Sequence, residues 1–203
     1  MTDTAHAQAF WANHPVDPGW VAHYRNDGSA PHRAWVIEAL REAQPWQTVF
    51  EVGCHCGPML TRIQQAFPEA KVAGCDVSAQ AVRDARQRGL SVLYRPFPAA
   101  TTHWPDRSVD VVLSVYTFAY FDPLDVEVAL MEAGRIARRG VILAEPVAWD
   151  LGQVDAIDRG GFSEWKHPYL ALLTRCPVFH GWTAHCREVE YQRMSGILRI
   201  MRP

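Results

Sequence analysis

Short apolar runs alternate with amphipathic stretches along most of this 203-residue chain. Apolar, strand-favouring residues form five groups, and between the groups apolar residues recur at the three- and four-residue spacing of a helix. The predicted strands cover residues 49–52, 72–76, 91–94, 110–115 and 141–145. Because successive strand, helix and strand segments form right-handed crossovers, the pattern predicts a parallel sheet with helices on both faces.

Both ends of the chain depart from this alternation. Residues 1–44 predict short helices rich in aromatic side chains, which we interpret as an N-terminal helical cap. Residues 146–182 lose the regular pattern and predict an insertion. Residues 182–191 and 196–201 then favour two antiparallel strands. We therefore expect one α/β domain over residues 1–203.

Composition narrows the class of partner. With 48% apolar residues, the chain has enough material for one substantial core. Its net charge of −2 includes no run of like charges, so it offers no electrostatic footprint for nucleic acid or an anionic membrane. The first residues lack the pattern of a signal peptide, and no apolar run approaches the roughly 18 residues of a membrane span. We expect a cytoplasmic protein.

The five cysteines are an odd number and fall in predicted loops and strands, which favours reduced thiols. The run Cys54-His55-Cys56 could suggest a metal site, with Cys75 as a further ligand. However, its spacing matches none of the usual zinc-binding pairs. We expect no metal.

The strongest candidate for a ligand site is the stretch 48–60, where the first predicted strand passes into a helix. Gly53 and Gly57 lie in the connecting loop, where a missing side chain lets the backbone approach a bound molecule. Glu51 lies inside the apolar strand. A buried carboxylate is costly without hydrogen bonds, so Glu51 should accept one from loop amides or from a ligand.

The order acid-x-Gly-x-x-x-Gly at a strand end, with Asp76 closing the second strand, resembles the nucleotide-binding half of class I S-adenosylmethionine-dependent methyltransferases. The resemblance covers about residues 48–201. It implies a Rossmann-like three-layer sandwich whose mostly parallel, seven-stranded sheet ends in an antiparallel hairpin. It also implies that Glu51 helps to hold the amino-acid end of the cofactor and that Asp76 binds the two ribose hydroxyls. The cofactor-binding residues that it implies are Glu51, Gly53, Cys54, His55, Gly57, Asp76, Val77, Ala99 and Ser114.

The chain departs from the family pattern at two places. His55 stands where the family often has a further glycine, and histidine is among the residues enriched at positive φ. Pro98-Ala99 stands where the family commonly has an acid that binds the adenine amino group. Main-chain amides and apolar walls would then have to hold the adenine.

Aromatic residues from three distant stretches are candidates for the wall of an acceptor pocket, although they could equally be core residues. The predicted substrate-binding residues are Trp11, Trp20, Tyr116, Tyr120, Trp165 and Tyr169. His167 is the preferred candidate for a catalytic base, because it lies in the insertion and its ordinary pKa is near neutral. Alternative bases are Tyr116, Tyr120, His180 and His185.

The resulting hypothesis is S-adenosylmethionine-dependent methyl transfer to a hydroxyl or amine of a small metabolite, with the N-terminal cap closing over it. Two alternatives stay open. The first is a protein that binds S-adenosylmethionine or a related nucleoside without turning it over. The second is an NAD-dependent oxidoreductase, which the spacing of Asp76 also suits, although His55 replaces the second glycine that a pyrophosphate site requires.

Overall fold

The structure is a computed structural model that describes residues 2–14, 19, 31–150, 154–191 and 194–203. It contains a seven-stranded sheet and a small two-stranded sheet. The helices are α1 (Asp3–Asn13), α2 (Pro31–Glu42), α3 (Pro58–Ala66), α4 (Ala79–Gln87), α5 (Pro123–Ile136) and α6 (Tyr169–Arg175). The strands are β1 (Thr48–Val52), β2 (Lys71–Asp76), β3 (Ser91–Tyr94), β4 (Val109–Val115), β5 (Ala137–Glu145), β6 (Asp155–Asp158), β7 (Ser163–Lys166), β8 (Thr183–Tyr191) and β9 (Met194–Met201).

The large sheet has the strand order β3-β2-β1-β4-β5-β9-β8. Its first five strands pair in parallel, whereas β9 runs antiparallel to β5 and β8 antiparallel to β9. The predicted α/β fold with a C-terminal hairpin is therefore confirmed. From β1 the chain continues to β2 and β3 on one side of the sheet, and from β4 it continues to β5 on the other side. A crevice therefore forms above the carboxyl ends of β1 and β4, where open α/β sheets bind ligands.

The sheet is covered on both faces, which explains why its strands are almost continuously apolar. Alternate residues of neighbouring strands belong to two separate cores. Phe50 and its partner Val112 pack on the face with α5 and α6. Val49 and its partner Val111 pack on the other face. All four side chains are at most 1% exposed, so β1 and β4 form a rigid base for the crevice.

The junction between α5 and β5 differs from the prediction. The strand was predicted over residues 141–145, but β5 already begins at Ala137 and includes Arg138 and Arg139. Arg138 Nη1 lies 2.7 Å from Asp110 Oδ1 in β4. This ion pair links Arg138 of β5 to the neighbouring strand β4.

The insertion is also more regular than its sequence suggested. It contains the hairpin of β6 and β7, which pair antiparallel around Gly160-Gly161, followed by α6. Isolated two-stranded hairpins are marginally stable, so this one depends on its contacts with the rest of the domain.

Helix α1 supplies those contacts. The Asp3 carboxylate accepts hydrogen bonds from the backbone amide of Ser163, with a shortest distance of 3.0 Å, and from Trp165 Nε1 at 3.0 Å. Thr4 Oγ1 accepts from the Asp122 amide at 2.8 Å. The start of the predicted cap therefore rests on the insertion and on the segment after β4. In the part of the chain that the structure describes, no helix is long and apolar enough to cross a membrane.

Candidate active site

A cavity of about 440 Å³ lies at the carboxyl ends of β1, β2 and β4. This volume is within the range of about 300–1,000 Å³ that is usual for small-molecule sites. The sheet forms its floor, and α1, α2 and the β6–β7 hairpin contribute to its walls. Its lining residues include Gln8, Trp11, His32, Arg33, Glu51, Gly53, Cys54, His55, Asp76, Val77, Ser78, Arg95, Pro96, Phe97, Tyr116, Tyr120, Arg159 and Glu164.

Glu51 brings a buried acid into this cavity. Its side chain is 3% exposed, and its Oε2 has no hydrogen-bond partner among the residues that the structure describes. Burial raises the pKa of Glu51 from 4.5 to about 8, although the positive charge of Arg33 acts in the opposite direction. A carboxyl group in this state would gain from a cationic or hydrogen-bond-donating ligand.

Asp76 lies beside it at the end of β2. Its Oδ2 accepts from the His55 amide and its Oδ1 from the Ser78 amide, each at 2.8 Å. Burial raises the pKa of Asp76, while the two amide bonds oppose the increase. Asp76 thus fixes the glycine loop to β2. Each carboxylate oxygen retains a second lone pair for a ligand hydroxyl.

The two loop glycines are required for reasons that differ from the prediction. Both have positive φ, +66° at Gly53 and +77° at Gly57. A Cβ at Gly53 would lie 2.2 Å from Thr117 Oγ1, and one at Gly57 would lie 2.3 Å from Leu90 Cδ1. We expected a Cβ to obstruct the ligand more than the fold. Instead, protein side chains occupy the space, so substitution would first disturb packing.

The other predicted cofactor residues divide into two groups. Cys54, His55 and Val77 line the cavity. Ala99 is exposed and does not line it, and Ser114 is fully buried, with its Oγ donating to Glu145 Oε1 at 2.6 Å. The chain segment before Ala99 reaches the cavity instead, through Arg95, Pro96 and Phe97.

Three of the predicted acceptor residues come together. The ring centroids of Trp11 and Tyr120 are 5.3 Å apart, and those of Tyr116 and Tyr120 are 6.1 Å apart. All three rings line the cavity. Trp165 and Tyr169 do not line it, because Trp165 binds Asp3 and Tyr169 is fully buried in the core. Trp20 lies outside the described residues.

His167 also lies away from the cavity. It is fully buried, and its Nε2 is 2.9 Å from the carbonyl oxygen of Phe121. Burial lowers the pKa of His167 from 6.5 to about 4. Because it does not reach the lining, His167 is not placed to take a proton from a substrate there. The alternative bases His180 and His185 are exposed and do not line the cavity either.

Sequence reasoning missed several charged residues of the cavity lining, which include Arg33, Arg95, Arg159 and Glu164. Glu164 and Arg159 project from the β6–β7 hairpin into the cavity lining and form an ion pair, with Arg159 Nε 3.0 Å from Glu164 Oε2. The hydroxyl of Tyr116 donates to Glu164 Oε1. The Gly160-Gly161 pair, which is typical of a hairpin turn, was the available signal for this hairpin.

A further buried acid shapes the loop after β4. Glu145, at the end of β5, accepts hydrogen bonds from the backbone amides of Thr117, Phe118 and Ala119 at 3.0–3.2 Å. Burial raises the pKa of Glu145 to about 7, against the effect of these donors. The bonds hold the segment that carries Tyr116 and Tyr120, so Glu145 orients the aromatic wall.

Comparison with known proteins indicates a methyltransferase domain. A family described as a methyltransferase domain matches residues 49–140. Over 126 residues the chain is 28% identical to malonyl-[acyl-carrier protein] O-methyltransferase of Alcanivorax borkumensis, an alignment that covers 60% of this chain. The chain spans only 42% of that relative's length.

Solved structures share the whole fold. Magnesium protoporphyrin IX methyltransferase from Synechocystis PCC 6803, with bound S-adenosylmethionine, aligns with a TM-score of 0.69 at 14% identity, covering 100% of this chain and 98% of that one. The sugar N-methyltransferase KedS8 from Streptoalloteichus sp ATCC 53650 aligns with a TM-score of 0.66 at 17% identity, covering 91% and 92%. At these identities the likeness concerns the fold.

The sheet order, the acids at the ends of β1 and β2 and the matched domain define the class of this protein. Residues 49–140 match a methyltransferase-domain family, and the whole chain shares the fold of the solved S-adenosylmethionine-dependent methyltransferase.

Proposed function

We propose that this chain transfers the methyl group of S-adenosylmethionine to a hydroxyl or amine of a small metabolite. One observation carries the proposal: the buried Glu51, whose Oε2 has no partner within the described part of the chain, lines the same cavity as Asp76 at the carboxyl ends of adjacent strands. S-adenosylmethionine carries positive charge on its sulfur and on its amino group. Two acids that line the same cavity can compensate that charge.

The residues that would hold the cofactor follow from their places in the cavity. Glu51 would accept from the amino group, and Asp76 from the ribose hydroxyls through its remaining lone pairs. The backbone at Gly53 would lie along the amino-acid part. Val77 and Phe97 would form apolar walls for the adenine ring.

When bound, the cofactor supplies an electrophilic methyl group on a positively charged sulfur. The contribution of the protein is mainly alignment, since holding two reactants in place removes much of the entropic cost of their encounter. The rings of Trp11, Tyr116 and Tyr120 would orient the acceptor and exclude water. The contact of α1 with the hairpin would complete the site.

The cofactor assignment is tested by calorimetry with S-adenosylhomocysteine. Asp76→Ala should weaken binding by about 1.5–3 kcal/mol, the scale of hydrogen bonds to a charged group. Asp106→Ala is the control, because this exposed aspartate pairs with Arg135 and does not line the cavity. Binding by Asp76→Ala as tight as that of the parent would show that the ribose assignment is wrong.

The reaction is tested by incorporation of labelled methyl groups into a panel of small hydroxyl and amine compounds. A second candidate function, cofactor binding without turnover, is favoured by the exposed Ala99, where related enzymes place an adenine-binding acid. It predicts tight S-adenosylhomocysteine binding with no incorporation into any acceptor. Preferential methylation of RNA or protein would contradict the proposed substrate class.

A further inference from the structure

The β6–β7 hairpin places an ion pair, formed by Glu164 and Arg159, at the proposed acceptor end of the cavity. Glu164 is only 3% exposed, yet it lines the cavity. Its Oε2 accepts from Arg159 Nε at 3.0 Å, and its Oε1 accepts from the Tyr116 hydroxyl. Because Arg159 compensates the charge of Glu164, the pair adds no net charge to this end of the cavity.

Tyr116 connects this pair to the reaction site. It follows the last residue of β4 directly and has φ of +53°, a conformation that bulky residues rarely adopt. The adjacent Thr117 amide is bound by Glu145 at 3.0 Å, which holds the backbone in place. A tyrosine kept in such a conformation at the edge of a ligand cavity indicates a positional requirement.

The direction of the Tyr116 hydrogen bond is also defined. Burial and the bond to Glu164 raise the pKa of Tyr116 well above its ordinary value of 10, so the phenol keeps its proton. The Tyr116 hydroxyl donates its proton to Glu164 in a hydrogen bond. The lone pairs of the Tyr116 oxygen remain available to accept a hydrogen bond from a ligand. Tyr116 can therefore accept a hydrogen bond from a molecule in the cavity while it donates one to the Glu164 carboxylate.

The surrounding surface favours a flat, uncharged molecule. Trp11 and Tyr120 are inclined by 60° to each other, and Tyr116 is inclined by 64° to Tyr120. Aromatic rings in offset or edge arrangements attract further aromatic rings by about 0.5–1.5 kcal/mol beyond their buried area. An aromatic acceptor would use this wall, and an uncharged one would leave the Glu164–Arg159 pair undisturbed.

We propose that the acceptor is a phenol-type hydroxyl on a neutral aromatic molecule, and that Glu164 receives its proton through Tyr116. This inference rests on the proposed function and narrows its substrate class. The acceptor oxygen bonds the methyl carbon while the electron pair of the broken methyl–sulfur bond stays on sulfur. The acceptor proton moves to the Tyr116 oxygen, and the proton of Tyr116 moves to Glu164. One positive charge on sulfur and one negative charge on Glu164 disappear together.

Other acceptors fit this geometry less well. A carboxylate would be placed beside Glu164 and has no proton to release. An ammonium ion would compete with Arg159 for Glu164 and would have to lose a proton before its nitrogen could attack. A neutral hydroxyl alone uses the hydrogen-bond chain as it stands.

The test uses probes that share one ring: 4-methylphenol, 4-methylbenzylammonium, 4-methylbenzoate and toluene. Each is titrated calorimetrically into protein saturated with S-adenosylhomocysteine. We expect 4-methylphenol to bind at least about tenfold more tightly than the other three, as one hydrogen bond into a charged network allows. Glu164→Gln and Tyr116→Phe should each remove this preference and leave S-adenosylhomocysteine binding within about twofold.

Glu127→Gln is the matched control, because it removes an exposed ion pair with Arg175 on the outer surface of the domain. It should keep the preference for 4-methylphenol. If Glu164→Gln does not fold, Tyr116→Phe decides the question, since it deletes a single hydroxyl and keeps the ring.

The inference is overturned if the ammonium or the carboxylate binds best, if no probe binds, or if Tyr116→Phe retains the full preference. Failure of the phenol proposal can be distinguished from failure of the proposed methyl transfer. Tight S-adenosylhomocysteine binding with methylation of amines alone would keep the proposed function and reject the phenol. Loss of S-adenosylhomocysteine binding in the parent protein would reject both.

Discussion

Glu51 is a buried acid in the cavity, and a cationic or hydrogen-bond-donating ligand would stabilise its charged form. In the folded protein its pKa is about 8, against an ordinary value of 4.5. Between these values the folded chain holds a proton that the unfolded chain has released, so the stability of the folded state falls as pH rises from about 4.5 to 8. A buried acid that weakens the empty protein near neutral pH is typical of a binding residue.

Glu51→Gln should remove this part of the pH dependence. Parent and variant should have similar free energies of unfolding near pH 4.5, whereas the variant should be more stable by a few kcal/mol above pH 8, since each pKa unit is worth about 1.4 kcal/mol. Urea denaturation at a series of pH values measures the difference. Glu145 and His167 titrate in both proteins and cancel in the comparison. Parallel stability curves for the two proteins would contradict the assigned pKa.

The glycine loop can be tested by comparing two glycines with similar backbone angles. Gly53 has φ of +66° and Gly89 has φ of +82°. A Cβ would meet Thr117 at the first position, whereas at the second it would meet no atom of the described residues within 4 Å. Gly89→Ala should cost about 1–2 kcal/mol from its backbone angle alone. Gly53→Ala should cost a further 1–3 kcal/mol, roughly, from overpacking. Thermal unfolding measures both, and equal losses would exclude the predicted contact with Thr117.

These residues also show what the sequence could predict at this scale. Glu51 and Asp76 were placed correctly in the crevice because a strand end fixes their position. Ser114 and His167 were misplaced for a different reason. Whether a side chain at a strand end faces the cavity or the core depends on pleat and packing, and one residue of displacement reverses the face.

At the scale of elements, α1 and the β6–β7 hairpin depend on each other. Asp3 binds the Ser163 amide and the Trp165 indole, while Phe10 packs on Phe162 with ring centroids 4.9 Å apart. Gln8 and Trp11 on the same helix line the cavity. Docking of α1 should therefore control access to the acceptor end.

Asp3→Ala should loosen this docking without affecting the cofactor end. The loss of its charge-assisted hydrogen bonds, about 1 kcal/mol at a partly exposed position, should speed hydrogen exchange of the Ser163 amide about fivefold. S-adenosylhomocysteine should bind within about twofold of the parent, because Glu51 and Asp76 are untouched. His6→Ala, an exposed change on the same helix, is the control. Unchanged exchange at Ser163 in Asp3→Ala would mean that the helix is held by other contacts.

The five parallel strands β1–β5 of the large sheet were predictable because each contains a short apolar run. The β6–β7 hairpin was not predicted, since its four-residue strands are half exposed and acquire their order only from contacts with α1 and the segment after β4. Glu164 and Arg159 were missed with it. The position of Glu164 and Arg159 thus depends on tertiary contacts, whereas the glycine-loop motif is local in sequence.

For the whole molecule, cofactor binding should appear as added stability. A ligand at 100 times its dissociation constant stabilises the native state by about 2.7 kcal/mol, which for a chain of this size corresponds to a rise in melting temperature of roughly 5–10 °C. S-adenosylhomocysteine should produce this shift and NAD at the same concentration should not, because Glu51 would face the pyrophosphate. At the same ligand concentration, a tenfold weaker Asp76→Ala variant should show roughly half the shift. A shift with NAD but none with S-adenosylhomocysteine would reverse the assignment of the cavity.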